Sequence, residues 1–135
     1  MNIVLPPGGE LLGLGCDVIE IERVRGVLDR QGERFLQRVF TEEERTYCFS
    51  HKLPHLHLAA RFAAKEAIAK SLGAPAGMSW QDATVHRVPG GQPVVETRGT
   101  VAARAAELGV TRFHLSISHD AGIASAVVVA ESDGV

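Results

Sequence analysis

At 135 residues, 45% hydrophobic and 22% charged, the chain has the length and apolar content for one compact domain with a real core. Its net charge of −2 gives no global field for nucleic-acid binding, and no apolar run is long enough to span a membrane. Cys16 and Cys48 form no CxxC pair and suit buried thiols in a reducing cytosol; the Leu-Pro-Pro-Gly-Gly start lacks a signal peptide's basic region and apolar run, so a soluble cytoplasmic domain is expected.

Residues 1–10 read as a lead-in broken by Pro6, Pro7, Gly8 and Gly9. Leu11 to Cys16 reads as a short buried strand in which Gly13 and Gly15 permit close backbone approach, with Asp17 at its end. A helix is expected from Glu20 to Arg30, broken near Gly32 and resumed to Val39. Thr41-Glu42-Glu43-Glu44 spells a capping box for a helix through Phe49. After a loop at 50–54, Pro54 suits the first turn of a central helix that runs to Leu72 and stops at Gly73. Ala83 to Val88 and Pro93 to Thr97 flank Pro89-Gly90-Gly91-Gln92, a hairpin signal. Thr100 to Leu108 is Ala-rich and helical in character. Phe113 to Ser118 alternates like a strand, Asp120-Ala121-Gly122 makes a turn, and Ile123 to Ala130 forms a last strand before a frayed tail at 132–135. Helices followed by a run of hairpins predict an α+β domain over 11–131, an antiparallel sheet packed against the long central helix.

Several tempting motifs fail. Gly13-Leu14-Gly15 lacks the third glycine of a dinucleotide fingerprint, and there is no P-loop. Ser118-His119-Asp120 is a triad in letters only, because neighbours on a strand point to opposite faces. His51, His55 and His57 read as a solvated, loop-rich stretch rather than a zinc site.

The chemistry concentrates in Arg61-Phe62-Ala63-Ala64-Lys65-Glu66-Ala67-Ile68-Ala69-Lys70. On a helix Glu66 and Lys70 share a face, as do Arg61 and Lys65, and the alanines allow close packing. Such a segment serves equally as a solvated face with ion pairs or as a site for a metal and phosphates. Asp17 has two open roles, a helix N-cap or a hard oxygen ligand. Two carboxylates with substrate phosphates suit Mg²⁺, and Glu66 is the best candidate for the second. His119, beside a turn, is a surface histidine or a phosphate contact. Arg23, Arg30, Arg34 and Arg38 make a basic stripe, a solvated face that also suits an acidic protein partner.

Three segments, in order and spacing across residues 11–130, resemble one family. Leu14-Gly15-Cys16-Asp17-Val18-Ile19-Glu20-Ile21-Glu22-Arg23 is similar to its Gly-x-Asp-x-x-Glu-x-x-Arg motif. Arg61 to Lys70 resembles its Arg-Phe-Ala-Ala-Lys-Glu-Ala-x-x-Lys signature, and His114-Leu115-Ser116-Ile117-Ser118-His119 its C-terminal His-x-Ser-[Ile/Leu]-[Ser/Thr]-His strand. The family is the 4′-phosphopantetheinyl transferases, in particular the short holo-acyl-carrier-protein synthases. The resemblance implies transfer of phosphopantetheine from coenzyme A to a serine of apo acyl carrier protein. It implies Asp17 and Glu66 as Mg²⁺ ligands, Lys70 as the stabiliser of charge on the phosphates, and Arg61, Lys65 and His119 as phosphate or nucleotide contacts. The serine proton falls to Glu66 or to a metal-held water near Asp17, and Arg23 contacts the carrier protein. A homotrimer is implied, with sites between subunits and no role for nucleic acid or membrane. The chain departs from the pattern at Gln92, where the family's hairpin often has lysine, and at Cys16, where an aliphatic residue is commoner. Other readings are a non-catalytic nucleotide- or protein-binding module on the same fold and a Mg²⁺-dependent phosphohydrolase.

Overall fold

The computed structural model describes residues 2–133. Its five strands and five helices run β1 (Glu10–Glu20), α1 (Ile21–Gln31), α2 (Glu33–Val39), α3 (Glu42–Phe49), α4 (Pro54–Ser71), β2 (Ala83–His86), β3 (Val94–Thr97), α5 (Gly99–Leu108), β4 (Arg112–Asp120) and β5 (Ile123–Ser132), with a 3₁₀ turn at Trp80–Asp82. Strands β1, β5 and β4 form one antiparallel sheet in that order, and β2–β3 a separate two-stranded hairpin. The expected α+β architecture is present, with α4 lying across one face of the larger sheet.

Glycines explain how close that helix lies. A Cβ on Gly15 would collide with the Ala67 carbonyl, and one on Gly13 with the Ser71 carbonyl. The helix answers with small residues, since Ala63, Ala64 and Ala67 are completely buried beside Leu115, Ala126 and Val128. A second cluster packs Val24, Phe35, Val39 and Cys48 from α1, α2 and α3, with Phe40 just after α2, against Leu58 and Ala59 of α4. Gly32, at φ +54, adopts a backbone conformation that a side chain would strain, and it divides α1 from α2 where the sequence predicts the break.

Three expectations need correction. The first strand does not stop at Cys16; it continues to Glu20, where the Asp17–Ala126 and Glu20–Ile123 pairs complete the ladder. Asp17 is therefore a strand residue and not an N-cap, and Glu20 takes the cap position without a side-chain bond. Cys16 is exposed on the sheet face turned away from α4, while Cys48 is buried as expected. The last strand reaches Ser132, paired with Glu10, and the Asp133 amide donates to Thr111 Oγ1; of the expected tail only residues 134 and 135 lie outside the described residues. No helix among the described residues is long and apolar enough to cross a membrane.

Candidate active site

Asp17 projects from β1 toward α4, on the same side of the sheet as its partner Ala126. There its Oδ1 accepts from Lys70 Nζ at 2.9 Å, and the same ammonium donates to the Cys16 carbonyl at 3.1 Å. The bond to Asp17 raises the Lys70 pKa above the ordinary lysine value. Glu66 sits one turn earlier on α4, half-buried. Burial first and the Asp17 charge second push its carboxyl above the usual carboxylate range, with Lys70 opposing. Lys70 thus bonds across to the strand rather than along the helix to Glu66. Asp17 and Glu66 line one cleft of about 400 Å³ with Arg23 and Arg38 at its rim and Val24, Val27, Phe35 and Phe62 as its apolar wall.

This donor set fits a divalent cation. Two hard carboxylates repel one another across the cleft, and Glu66 has no hydrogen-bonded cation among the described residues. All four arginines of the basic stripe, Arg23, Arg30, Arg34 and Arg38, are exposed, and Arg23 and Arg38 lie beside the carboxylates.

A second pocket, of about 290 Å³, opens where α4, α3, the hairpin and β4 meet. Arg61 is buried there with its guanidinium 4.0 Å above the Tyr47 ring, and its Nε has no hydrogen-bond partner among the described residues. His57, Arg87 and His119 complete the lining with it. Burial and the charges of His51, Arg61, His119 and Arg87 depress the His57 pKa to about 4. The guanidinium groups of Arg61 and Arg87, gathered in one half-closed pocket whose lining holds no carboxylate, form a site for an anion. Arg61 and His119, distant in sequence, are brought together here. His55 and His57 belong to α4 rather than to a solvated loop. Tyr47, His57 and Arg87 were not anticipated, although His57 lies four residues before Arg61 on α4 and so shares its face.

Lys65 does not join either site. Its ammonium is buried, 2.5 Å from Glu44 Oε1 and 2.8 Å from the Ala83 carbonyl. Glu44 accepts in turn from the backbone amides of Thr41 and Val85, both at 2.9 Å. The helix rotates position 65 toward β2, away from Arg61, so no charged atom is left at the surface for a nucleotide. Elsewhere, His86 at the end of β2 is held between Glu43 at 2.9 Å and Glu96 at 2.6 Å, a group that fastens α3 to the hairpin where its loop begins.

Comparisons with known proteins identify the family. The family model described as the 4′-phosphopantetheinyl transferase superfamily matches residues 13–127. The chain is similar to the holo-[acyl-carrier-protein] synthase of Beutenbergia cavernae, 59% identical over 121 residues that cover 90% of this chain and 98% of that one. Among solved structures it resembles the holo-[acyl-carrier-protein] synthase of Neisseria meningitidis, with a TM-score of 0.83 at 30% identity, covering 91% of this chain and all of the other. The Helicobacter pylori holo-[acyl-carrier-protein] synthase in complex with coenzyme A gives a TM-score of 0.75 at 30% identity, with 87% and 98% covered. The chain belongs to the 4′-phosphopantetheinyl transferase superfamily.

Proposed function

We propose that the chain transfers 4′-phosphopantetheine from coenzyme A to a serine of apo acyl carrier protein, releasing adenosine 3′,5′-bisphosphate. The observation that carries this reading is the placement of a two-carboxylate cleft and an anion pocket along one helix, α4. Coenzyme A has two anionic groups to match, a diphosphate and a 3′-phosphate. Asp17 and Glu66 would hold Mg²⁺, which when bound offsets the diphosphate charge. Lys70, kept upright by Asp17, presents its ammonium to the oxygens that gain charge as the bond breaks. Arg61 and His119 grip phosphate in the second pocket.

The serine oxygen attacks the phosphorus next to pantetheine. The bond from that phosphorus to the bridging oxygen breaks, the nucleotide leaves with the electron pair, and the serine proton passes to the Glu66 carboxylate or to a water beside Asp17. The apolar wall of the cleft limits water, which would otherwise take the place of serine.

Arg23 and the exposed arginines beyond it fit an acidic carrier protein. Arg23→Glu is expected to raise the KM for carrier protein about tenfold or more while leaving the KM for coenzyme A near its starting value, in steady-state assays. An unchanged KM for carrier protein removes Arg23 from the docking surface.

A homotrimer belongs to the same reading. Its support is the sheet face turned from α4, where Leu14 and Val18 are each 62% exposed beside Leu12 and Cys16. Light scattering should give the mass of three chains. Cytoplasmic location also belongs here, since two free thiols suit a reducing compartment.

The deciding experiment is intact-protein mass spectrometry of apo acyl carrier protein incubated with this chain, coenzyme A and Mg²⁺, with an EDTA control. The expected result is a gain of one phosphopantetheine that EDTA prevents. No gain with several carriers favours a binding module, and metal-dependent nucleotide release without carrier favours a phosphohydrolase.

A further inference from the structure

The lead-in before β1 has a path fixed at both ends by distant parts of the chain. Near β1, Gly9 passes so close to the Glu131 carboxylate and the Ser132 carbonyl that a Cβ would crowd both. At the other end the Asn2 amide donates to Ser116 Oγ at 3.2 Å, and the Asn2 carbonyl accepts from Gln92 Nε2 at 2.7 Å. Ser116 lies buried in the middle of β4, and Gln92 lies in the loop between β2 and β3. The backbone of one residue, Asn2, therefore ties that loop to the larger sheet.

The two elements it joins are walls of the anion pocket. The loop contributes Val88, Gly91 and Pro93, and β4 contributes Ile117 and His119. Strands of four residues hold their own tip poorly, and the His86 clamp, at the last residue of β2, fastens the mouth of the loop to α3 but does not reach residues 88–93. Inside the loop itself the Gly91 amide closes a turn onto the Val88 carbonyl, which sets its local shape but not its distance from β4. A glutamine amide suits a carbonyl acceptor and brings no charge toward the pocket.

We infer that residues 2–9 and Gln92 form a strap that positions the β2–β3 loop against the anion pocket and so sets the affinity for coenzyme A. This rests on the pocket being a phosphate site, as proposed above. Gln92 is a positioning residue and makes no contact with substrate in this scheme.

The test combines Gln92→Leu, which removes the donor at similar volume, with deletion of residues 2–8 behind Met1, which removes the acceptor. Each is expected to raise the KM for coenzyme A about threefold to tenfold, the scale of one hydrogen bond, with kcat and the KM for carrier protein unchanged. Combined, they should cost no more than one alone, because both break the same bond. Amide hydrogen exchange at residues 88–93, measured without substrate, should accelerate in each variant. Faster exchange in a chain that transfers nothing would leave the strap standing and overturn the transferase reading. Unchanged exchange, a loss confined to kcat, or effects that simply add would overturn the strap.

Discussion

Glu66→Gln is expected to lose at least about 10³-fold in transfer rate, the upper scale for removing one preorganised charge at a reacting group. The same change is expected to raise the melting temperature of the metal-free protein. Glu66 is ionised at a cost in the fold, because burial and the neighbouring Asp17 both oppose its charge. Its folded pKa lies above the reference value of 4.5, so the fold is favoured while the carboxyl is protonated and loses that advantage as pH rises through the raised pKa. The gain from glutamine should therefore be absent well below pH 4.5 and complete above the raised value. Mg²⁺ should stabilise the wild-type protein and fail to stabilise the variant. Asp17→Asn should also lose transfer, but without the gain in stability, since it breaks the 2.9 Å pair with Lys70. That pair is half-exposed on the lysine side and contributes about 1 kcal/mol at most. Differential scanning fluorimetry in EDTA at two pH values, beside single-turnover rates, reads all of these outcomes. Near-normal transfer by a folded Glu66→Gln protein would remove the carboxylate pair from the mechanism.

The elements that sequence predicts well here are those whose causes are local. The capping box at Thr41 is present with both reciprocal bonds, to Glu44 and back, because four consecutive residues contain all it needs. Pro54 opens α4 and Gly73 follows it for the same reason. The glycines of β1 were legible as a close approach, though not which carbonyls they approach. The extra length of β1 was hidden, because Val18, Ile19 and Glu20 are strand residues through pairing with Ser125, Ala124 and Ile123, more than a hundred residues away. Asp17 and Lys70 meet for the same non-local reason, and only the resemblance put them in one site beforehand.

Lys65 is the instructive failure. Its helical spacing from Arg61 suggests a shared face, yet the guanidinium rests on Tyr47 while the ammonium turns under β2. A signal existed in Glu44, the last residue of the capping box, whose carboxylate has a second oxygen and a second task. The histidines misled in the opposite direction. His57 looked solvated by composition, but a helix carries it into the anion pocket, where burial and surrounding charges hold it neutral. Sequence shows which groups can ionise, whereas the sheet register and helix rotation decide which of them face one another.

Glu44→Ala is expected to destabilise the protein by about 3–5 kcal/mol, the cost of orphaning one member of a buried ion pair. Alanine removes the acceptor of Lys65 Nζ and those of the Thr41 and Val85 amides together, leaving the ammonium with the Ala83 carbonyl. Burial already lowers the Lys65 pKa, and Glu44 is the main force opposing that shift. Without Glu44 the folded lysine should be pushed further below its ordinary value and shed its proton before the unfolded one, which keeps it up to about 10.5. The unfolded state then binds more protons, so the variant should regain stability as pH rises from 7 toward 10. Urea denaturation across that range reads both the loss and its slope. Glu44→Gln combined with Lys65→Met should recover part of the loss, because the amide oxygen can still accept from one backbone amide and no buried charge remains. A loss below about 1 kcal/mol in Glu44→Ala would mean that the pair holds nothing in place. The double variant also separates two roles for Lys65. If its work is done under β2, the folded double variant keeps its KM for coenzyme A. If it grips a phosphate, that KM rises tenfold or more, by about the 1.4 kcal/mol per decade that a lost charge contact readily exceeds.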